Sequence, residues 1–416
     1  MSKLDELIAE LCPDGVEYKS LGEICDFRNG FAFKSSKFQN NGQPILRISN
    51  IQDKKIDTDN LVYFNLNDYT EDLSTYIVNK GDIVVAMSGA TTGKIGINDT
   101  DNIYYLNQRV GKFIPKEKII LNKFLYHFLT SKTQLLYQLS GGGAQPNLSS
   151  AKLKQIKIPL PPLPVQQEIV RILDNFTELT TELTTELTAR RKQYEYYRDE
   201  LFGRNYDEMI LKSKRDNVKL VSLHELGKFT RGKRFVRKDM REEGVPCIHY
   251  GDLYTHYGTS ARETKWFLEK ELAQKMRFAE KNDVVIVQAG ENHEEIGIGV
   301  AWLGDEKVAI HDACYIFKHC INPKYISHYL RTSIYNLQIR RYVSEGKICS
   351  ISSENIGKAL IPVPSLEEQE RIVAILDRFD ALCNDLTSGI PAEIEARQKQ
   401  YEYYRDKLLS FKEVTA

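Results

Sequence analysis

Ser88-Gly-Ala-Thr-Thr-Gly-Lys94 packs two glycines, three hydroxyls and a lysine into seven residues, the make-up of a loop that meets phosphate. It is not a nucleotide-binding P-loop. That pattern needs four residues between its first glycine and a Gly-Lys pair, then Ser or Thr. Here three follow Gly89, and Ile95 comes after Lys94. Ser88, Thr91, Thr92 and Lys94 are instead expected to touch a DNA backbone, with a plain β-turn as the alternative. At the corresponding place later in the chain stands Gln288-Ala-Gly-Glu-Asn-His293. Gln288 and Asn292 have the donor–acceptor pattern that suits adenine, and Glu291 can accept from cytosine. With His293 they form a candidate base-reading loop, and a solvated polar loop is the alternative. Arg231, Lys233 and Arg234, followed by Arg237 and Lys238, form a basic run. Arg28 and Lys34 are its earlier counterpart. Arg340 and Arg341, with Tyr342 behind them and Tyr329, Arg331 and Tyr335 before, interleave charge and aromatic rings in a way that suits phosphate. Core tyrosines are the alternative here, and a plain solvated face is the alternative for the basic runs.

Catalytic chemistry is not legible. The histidines His293, His311 and His319 lack metal-ligand spacing, so no metal site is expected. No nuclease carboxylate–lysine cluster, no Asn-Pro-Pro-aromatic sequence and no serine or cysteine nucleophile arrangement stands out. The seven cysteines are dispersed without a C-x-x-C pair, which predicts reduced thiols in a cytosolic protein. No apolar run reaches the roughly 18–20 residues of a membrane span, and the start, Met-Ser-Lys-Leu-Asp-Glu-Leu, does not read as a signal peptide. A formal net charge of zero leaves local basic patches free to bind nucleic acid.

What must position these loops is a duplication. Gln193-Tyr-Glu-Tyr-Tyr-Arg-Asp-Glu-Leu201 recurs as Gln400-Tyr-Glu-Tyr-Tyr-Arg-Asp-Lys-Leu408, with eight of nine positions identical. Upstream, Gln167-Glu-Ile-Val-Arg-Ile-Leu-Asp174 parallels Glu370-Arg-Ile-Val-Ala-Ile-Leu-Asp377, each after a proline-rich join. Weaker matches continue in order, such as Lys80-Gly-Asp-Ile-Val-Val85 with Lys281-Asn-Asp-Val-Val-Ile286. Each half is thus a diverged segment followed by a retained one. The retained segments read as long amphipathic helices. Their apolar seams are Ile172, Phe176, Leu179, Leu183, Leu187, Tyr194, Tyr197 and Leu201, and Ile375, Phe379, Leu382, Ile394, Tyr401, Tyr404 and Leu408. A helix this long with one apolar seam needs a partner helix, and the other copy is the expected one, in an antiparallel coiled coil. Gly389 and Pro391 should kink or break the second.

The diverged segments read as α/β, with strands at Ile83-Val-Val-Ala86 and Val284-Val-Ile-Val287, helices at 122–137 and 324–342, and a flexible Gly141-Gly-Gly143 loop. The expected organisation is a recognition domain over 1–158, a spacer helix over 159–203, a charged linker over 204–217, a second recognition domain over 218–361, a second spacer helix over 362–411 and a tail over 412–416. Three near-identical tetrads, Glu178–Thr181, Glu182–Thr185 and Glu186–Ala189, lie inside the first helix. The second copy is four residues longer across this region, so length changes of four are expected to be tolerated there.

On the duplicated Gln-Tyr-Glu-Tyr-Tyr-Arg-Asp block, the Pro-Leu-Pro-Pro-Leu-Pro join before Gln167, and Gly389-Ile-Pro-Ala-Glu-Ile-Glu-Ala-Arg397, the chain resembles the specificity subunit of type I restriction–modification systems. The resemblance covers essentially the whole chain. It implies an α/β (α+β) fold of two tandem recognition domains, each followed by a long helix, in a bacterial or archaeal cytoplasm. Each domain would read one half of a bipartite site in double-stranded DNA. The helices would set the spacer and dock two methyltransferase subunits, and restriction/translocase subunits would join for cleavage. S-adenosylmethionine, ATP and magnesium would belong to those partners, with no cofactor in this chain. Two other classes remain open: an ATP-dependent DNA-processing enzyme, and a coiled-coil adaptor without sequence-specific DNA binding.

Overall fold

The computed structural model describes residues 2–52, 54–141 and 146–414. The expected Gly141–Gly143 loop therefore lies outside the described residues beyond Gly141. The chain divides into two compact units, 1–181 with 395–416, and 182–394.

In the first unit, two four-stranded sheets share a buried centre. One runs Cys25–Asn29, Val110–Pro115, Ile83–Ala86, Ile95–Ile97, all antiparallel. The other runs Val62–Phe64, Gln43–Leu46, Tyr104–Leu106, Ile77–Val78, with a parallel pair in the middle. Every residue of Ile83–Ala86 is buried. Apolar side chains on both faces of that strand serve two different cores, which is why it reads as an uninterrupted apolar run. Each fully buried valine or isoleucine there contributes about 1.5–3 kcal/mol. A two-stranded ribbon, Tyr18–Ser20 with Lys157–Pro159, closes the domain where the long helix begins.

The second unit repeats the plan with a five-stranded sheet. Its order is Gly227–Arg231, Cys314–His319, Val284–Val287, Gly299–Trp302, Ser260–Ala261. The second sheet is Trp266–Leu268, Val245–Ile248, Val308–Ile310, Phe278–Ala279. Val284–Val287 is buried throughout, as its counterpart is. Lys219–Ser222 pairs with Leu360–Val363 as the closing ribbon.

Both expected domain helices are broken in two. The first copy has Asn122–Ser131 and Thr133–Leu139. The second has Pro323–Tyr329 and Ser333–Ile339, with the Thr332 hydroxyl accepting from the Tyr335 N–H to start the new helix, and a 3-10 turn at Arg340–Tyr342. The 204–217 linker is no bare tether. Tyr206–Arg215 is a helix capped by Asn205, with Met209 fully buried. Its Lys212 ammonium donates to the Glu200 and Leu201 carbonyls, which the end of the preceding helix leaves unpaired.

The first spacer helix runs unbroken over Leu163–Phe202. The second is split into Leu366–Asn384 and Ile390–Leu408. Residues 385–389 form a turn in which the Asp385 carboxylate accepts from the Thr387 and Ser388 backbones and hydroxyls. The extra length of the second copy is thus a capped break, not an added helical turn; it contains Gly389, and Pro391 stands in the first turn of the helix that follows.

Candidate nucleic-acid interface

In the first unit, one end of the four-stranded antiparallel sheet gathers the strand-end loops. The chain leaves the Cys25–Asn29 strand at Arg28, which is exposed, and reaches the exposed Lys34, whose backbone N–H donates to the Tyr69 hydroxyl. The Ile83–Ala86 strand ends in Met87–Thr92 and returns at Gly93, whose N–H donates back to Ala86 O. Gly93 has φ +84°, and a Cβ there would lie 3.0 Å from the Tyr137 nitrogen, so glycine is required.

This loop does not present its hydroxyls. Thr92 is buried and its hydroxyl donates to Gly89 O at 2.6 Å; Thr91 donates to Ile48 O at 2.8 Å. Lys94 is half-buried and donates to the Gln52 side chain at 3.4 Å, while Ser88 bridges to Asn147. The expectation of a hydroxyl-rich phosphate loop fails for Thr91 and Thr92, because short hydroxyl side chains in a tight turn bond neighbouring carbonyls first. The exposed cation beside the loop is Arg109, which sequence reading missed. Its backbone carbonyl accepts from the Met87 N–H and its guanidinium lies 3.5 Å from Asn147 Oδ1.

The second unit has the same rim with different occupants. Val284–Val287 ends in Gln288–Ile296, and Gly297 N–H closes back on Val287 O. Gly93 and Gly297 are equivalent by this bond, so the second loop is longer than the first. Glu291 and Asn292 are exposed and His293 is half-buried. Asn292 also accepts from the Glu294 N–H, which turns the loop. Gln288 is buried instead, and its Oε1 has no hydrogen-bond partner among the described residues. Pairing of Ala289–Gly290 with Cys349–Ser350 holds this loop against the segment that follows the exposed Arg340 and Arg341. The Arg341 guanidinium covers the Tyr342 ring at 4.7 Å. Lys233 and Arg234 are exposed; Arg231 is exposed too but bonds Asp312 O at 2.7 Å.

Two histidines stand where the parallel strands Val245–Ile248 and Val308–Ile310 end, their rings 4.5 Å apart. His249 Nδ1 accepts from Gly251 N–H and His311 Nδ1 from Ala313 N–H, which places the ring proton of each neutral imidazole on Nε2. Burial holds both below the ordinary histidine range, His249 at about 4. In the sequence His311 reads only as a metal-ligand candidate that lacks the spacing. Among the described residues, no group of three or more His, Cys, Asp or Glu is placed to hold a metal ion.

The helical residues make a second kind of site, once in each unit. In the first, His127 bonds Asp174 at 3.0 Å and the Tyr401 hydroxyl at 3.0 Å, with Lys123 on the same carboxylate. In the second, His328 bonds Asp377 at 3.1 Å and the Tyr194 hydroxyl at 3.2 Å, again with a lysine, Lys324. Gln166 and Gln369 repeat one another as well, accepting from Leu121 N–H and Asn322 N–H. Phe176 stacks on Tyr404 and Phe379 on Tyr197, with centroids 5.4 and 5.5 Å apart. Each unit therefore pairs the start of one repeat's helix, antiparallel, with the end of the other's.

Of the remaining seam candidates, Ile172, Leu183, Leu187, Leu201, Ile375, Ile394 and Leu408 are half-buried. Leu179 and Leu382 are exposed, and so is Tyr197 despite its stack. Val165, Leu173, Val373 and Leu376 of the same helices are buried in the cores of their own units. Burial alone would push the Asp377 carboxyl up, but His328 and Lys324 hold it below its ordinary value. The shared spacing Lys123-x-x-x-His127 and Lys324-x-x-x-His328 was the signal for this clamp, and it was missed.

A family model described as the type I restriction modification DNA specificity domain matches residues 13–190 and again 215–396. A Haemophilus influenzae protein named as a type I restriction enzyme specificity subunit is 31% identical over 420 residues, covering 95% of this chain and 96% of its own. An Escherichia coli type I restriction enzyme specificity subunit is 34% identical over 302 residues, or 70% of this chain and 71% of its own. The crystal structure of the type I system S subunit from M. genitalium shares the fold at 17% identity. It covers 97% of this chain and 98% of that one, with a TM-score of 0.54.

Proposed function

This chain belongs to the type I restriction–modification DNA specificity family, and we propose that its two strand-end rims read the two halves of one bipartite DNA site. It is the non-catalytic specificity subunit: it selects sequence, and the chemistry lies elsewhere in the complex. The observation that carries the reading is the pair of loops, Met87–Thr92 and Gln288–Ile296, closed by the same backbone bond on the same strand yet different in length and chemistry. A shared scaffold with unlike loops suits two unlike half-sites.

In this reading Arg28, Lys34, Arg109, Arg231, Lys233, Arg234, Arg340 and Arg341 meet phosphates, and Gln288, Glu291, Asn292 and His293 meet base edges. The paired helices hold the spacer and dock two methyltransferase subunits, with restriction/translocase subunits joining for cleavage. S-adenosylmethionine, ATP and magnesium belong to those partners. Among the described residues no helix is long and apolar enough to cross a membrane. The test is methylome sequencing of cells that express the chain with its partners, repeated after exchange of residues 288–296 for the loop of a relative. One half of the motif should change and the other stay. An unpaired motif, or no motif, would sink the reading.

A further inference from the structure

Asp252 and Asn50 occupy the same place in the two repeats, in the turn after Val245–Ile248 and after Gln43–Leu46. Asn50 is self-contained. Its Oδ1 accepts from Arg47 N–H at 3.0 Å and its Nδ2 donates to Asp57 O at 3.1 Å. Asp252 is not. It is 9% exposed, and its Oδ2 has no hydrogen-bond partner among the described residues. A buried carboxyl oxygen without a donor is costly, and such groups are rare in native folds.

Asp252 lines a recess of about 470 Å³ whose other walls include Arg237, His249, Tyr254, Lys265 and Trp266. The recess opens beside the rim: His249 packs on His311, and the Tyr254 hydroxyl is raised first by burial and then by the nearby carboxylates Glu295 and Glu291 of the second loop. Two cations, two aromatic walls and one unanswered acceptor make a complementary surface for a nucleotide. The cations suit its phosphate, the rings suit the face of a base, and the acceptor suits an exocyclic amino group.

We propose that one adenine or cytosine of the half-site read by the second domain presents its exocyclic amino group to Asp252, turned out of the base stack to reach the recess. This rests on the bipartite-site reading above. A carboxyl sunk below the surface does not extend into a DNA groove, so the base must come to it. Enzymes that act on bases reach them by the same extrusion. The terminal torsion of an aspartate is broad and two-fold, so the turn that offers Oδ2 is soft. An N–H donor arriving there supplies the compensation the buried oxygen lacks. Burial holds this carboxyl above its ordinary value against the pull of Lys265, His256 and the Trp266 indole, and a bonded amino group would lower it.

The experiment uses the full chain with duplexes that carry the mapped motif. At each position of the second half-site, adenine is replaced by purine, or cytosine by its 4-deamino analogue, so that only the amino group is lost. One position should lose affinity by about 10-fold to 100-fold, the cost of a buried acceptor left unpaired. A 2-aminopurine placed next to that position, with the native base kept in place, should brighten as its neighbour leaves the stack. In Asp252→Ala and in the near-isosteric Asp252→Asn the penalty for removing the amino group should shrink toward 1-fold and toward an intermediate value. If no position in the wild-type chain loses more than about 2-fold, or if the loss persists unchanged in Asp252→Ala, the proposal is overturned. Those wild-type measurements do not depend on how any variant folds. Absence of a bipartite motif would instead strike the parent reading, and this proposal with it.

Discussion

The two helix clamps and the two rims are both duplicated, and they have fared in opposite ways. His127–Asp174–Tyr401 and His328–Asp377–Tyr194 agree in every partner and to within 0.2 Å in each histidine bond. The rims agree only in backbone. Arg47, Asn50, Asn107 and Arg109 in the first become His249, Asp252, His311 and Ala313 in the second. A clamp whose partners come from both repeats constrains three segments at once, so a change in any one leaves buried polar groups unpaired. A loop beyond the last strand bond is tied at few points, as at Ala289–Gly290, and its exposed side chains carry no such ties.

The largest test of that contrast is to break the clamps. Asp174→Ala and Asp377→Ala should each cost about 2–3 kcal/mol, since each leaves a buried imidazole without its carboxylate. Hydrogen exchange read by mass spectrometry should show equal losses of protection, each confined to its own unit. A difference of more than about 1 kcal/mol between the two would end the claim that the clamps are equivalent.

Acid should separate the units by a comparable margin. His249, His311, His319 and His328 are all held below the ordinary histidine range, each mainly by burial, His249 and His319 to about 4. The unfolded chain takes up these protons near pH 6.5 while the folded unit resists, so their stabilising effect is full above about pH 6.5 and is lost as pH falls toward 4. The first unit contains one histidine, His127. The second should therefore lose about 3 kcal/mol more than the first between about pH 6.5 and 5, from His249 and His319 alone. Both tryptophans, Trp266 and Trp302, lie in the second unit, so intrinsic fluorescence in urea at each pH follows it alone. A pH-independent midpoint would contradict the burial argument.

Next come the rims. Gln288→Ala or Asn292→Ala should relax preference in the second half-site by about 1–2 kcal/mol and leave the first untouched. Arg109→Ala should instead weaken all DNA by about 1 kcal/mol and reduce the salt slope by about one. Competition binding at two salt concentrations distinguishes them; equal effects on both half-sites from Gln288→Ala would erase the division of labour.

The smallest expected change in affinity comes from deleting Glu182–Thr185, which shortens the helix by roughly 6 Å. Both half-sites should remain readable while the spacer shrinks by one or two base pairs at about 3.4 Å each. Motif mapping of the deletion decides it, an unchanged spacer being the contrary result.

The duplication, the long helices and the buried strands Ile83–Ala86 and Val284–Val287 were legible because their signals are periodic or repeated. The clamps were half legible: Tyr194 and Tyr401 were seen as seam residues, but that each hydroxyl meets a histidine more than a hundred residues away is a tertiary fact. The rim was least legible. Exposed-looking Thr91 and Thr92 turn inward, while Arg109 and Asp252 gain their positions from strand ends that no local pattern announces. The broken domain helices were misjudged because Thr332 is both a tolerable helix residue and a good cap, and context chose the cap.

The exchange of helix ends also sets an order of events during synthesis. The first unit is incomplete until residues 395–416 emerge, for Tyr401 reaches His127 across 274 positions. At about 5–20 residues per second, the amino-terminal domain waits on the order of 15–55 s for its last helix. The second unit is contiguous from Glu182 to Ile394 and has all its parts before that moment. A ribosome that stops near codon 394 would therefore damage the domain made first and spare the one made last.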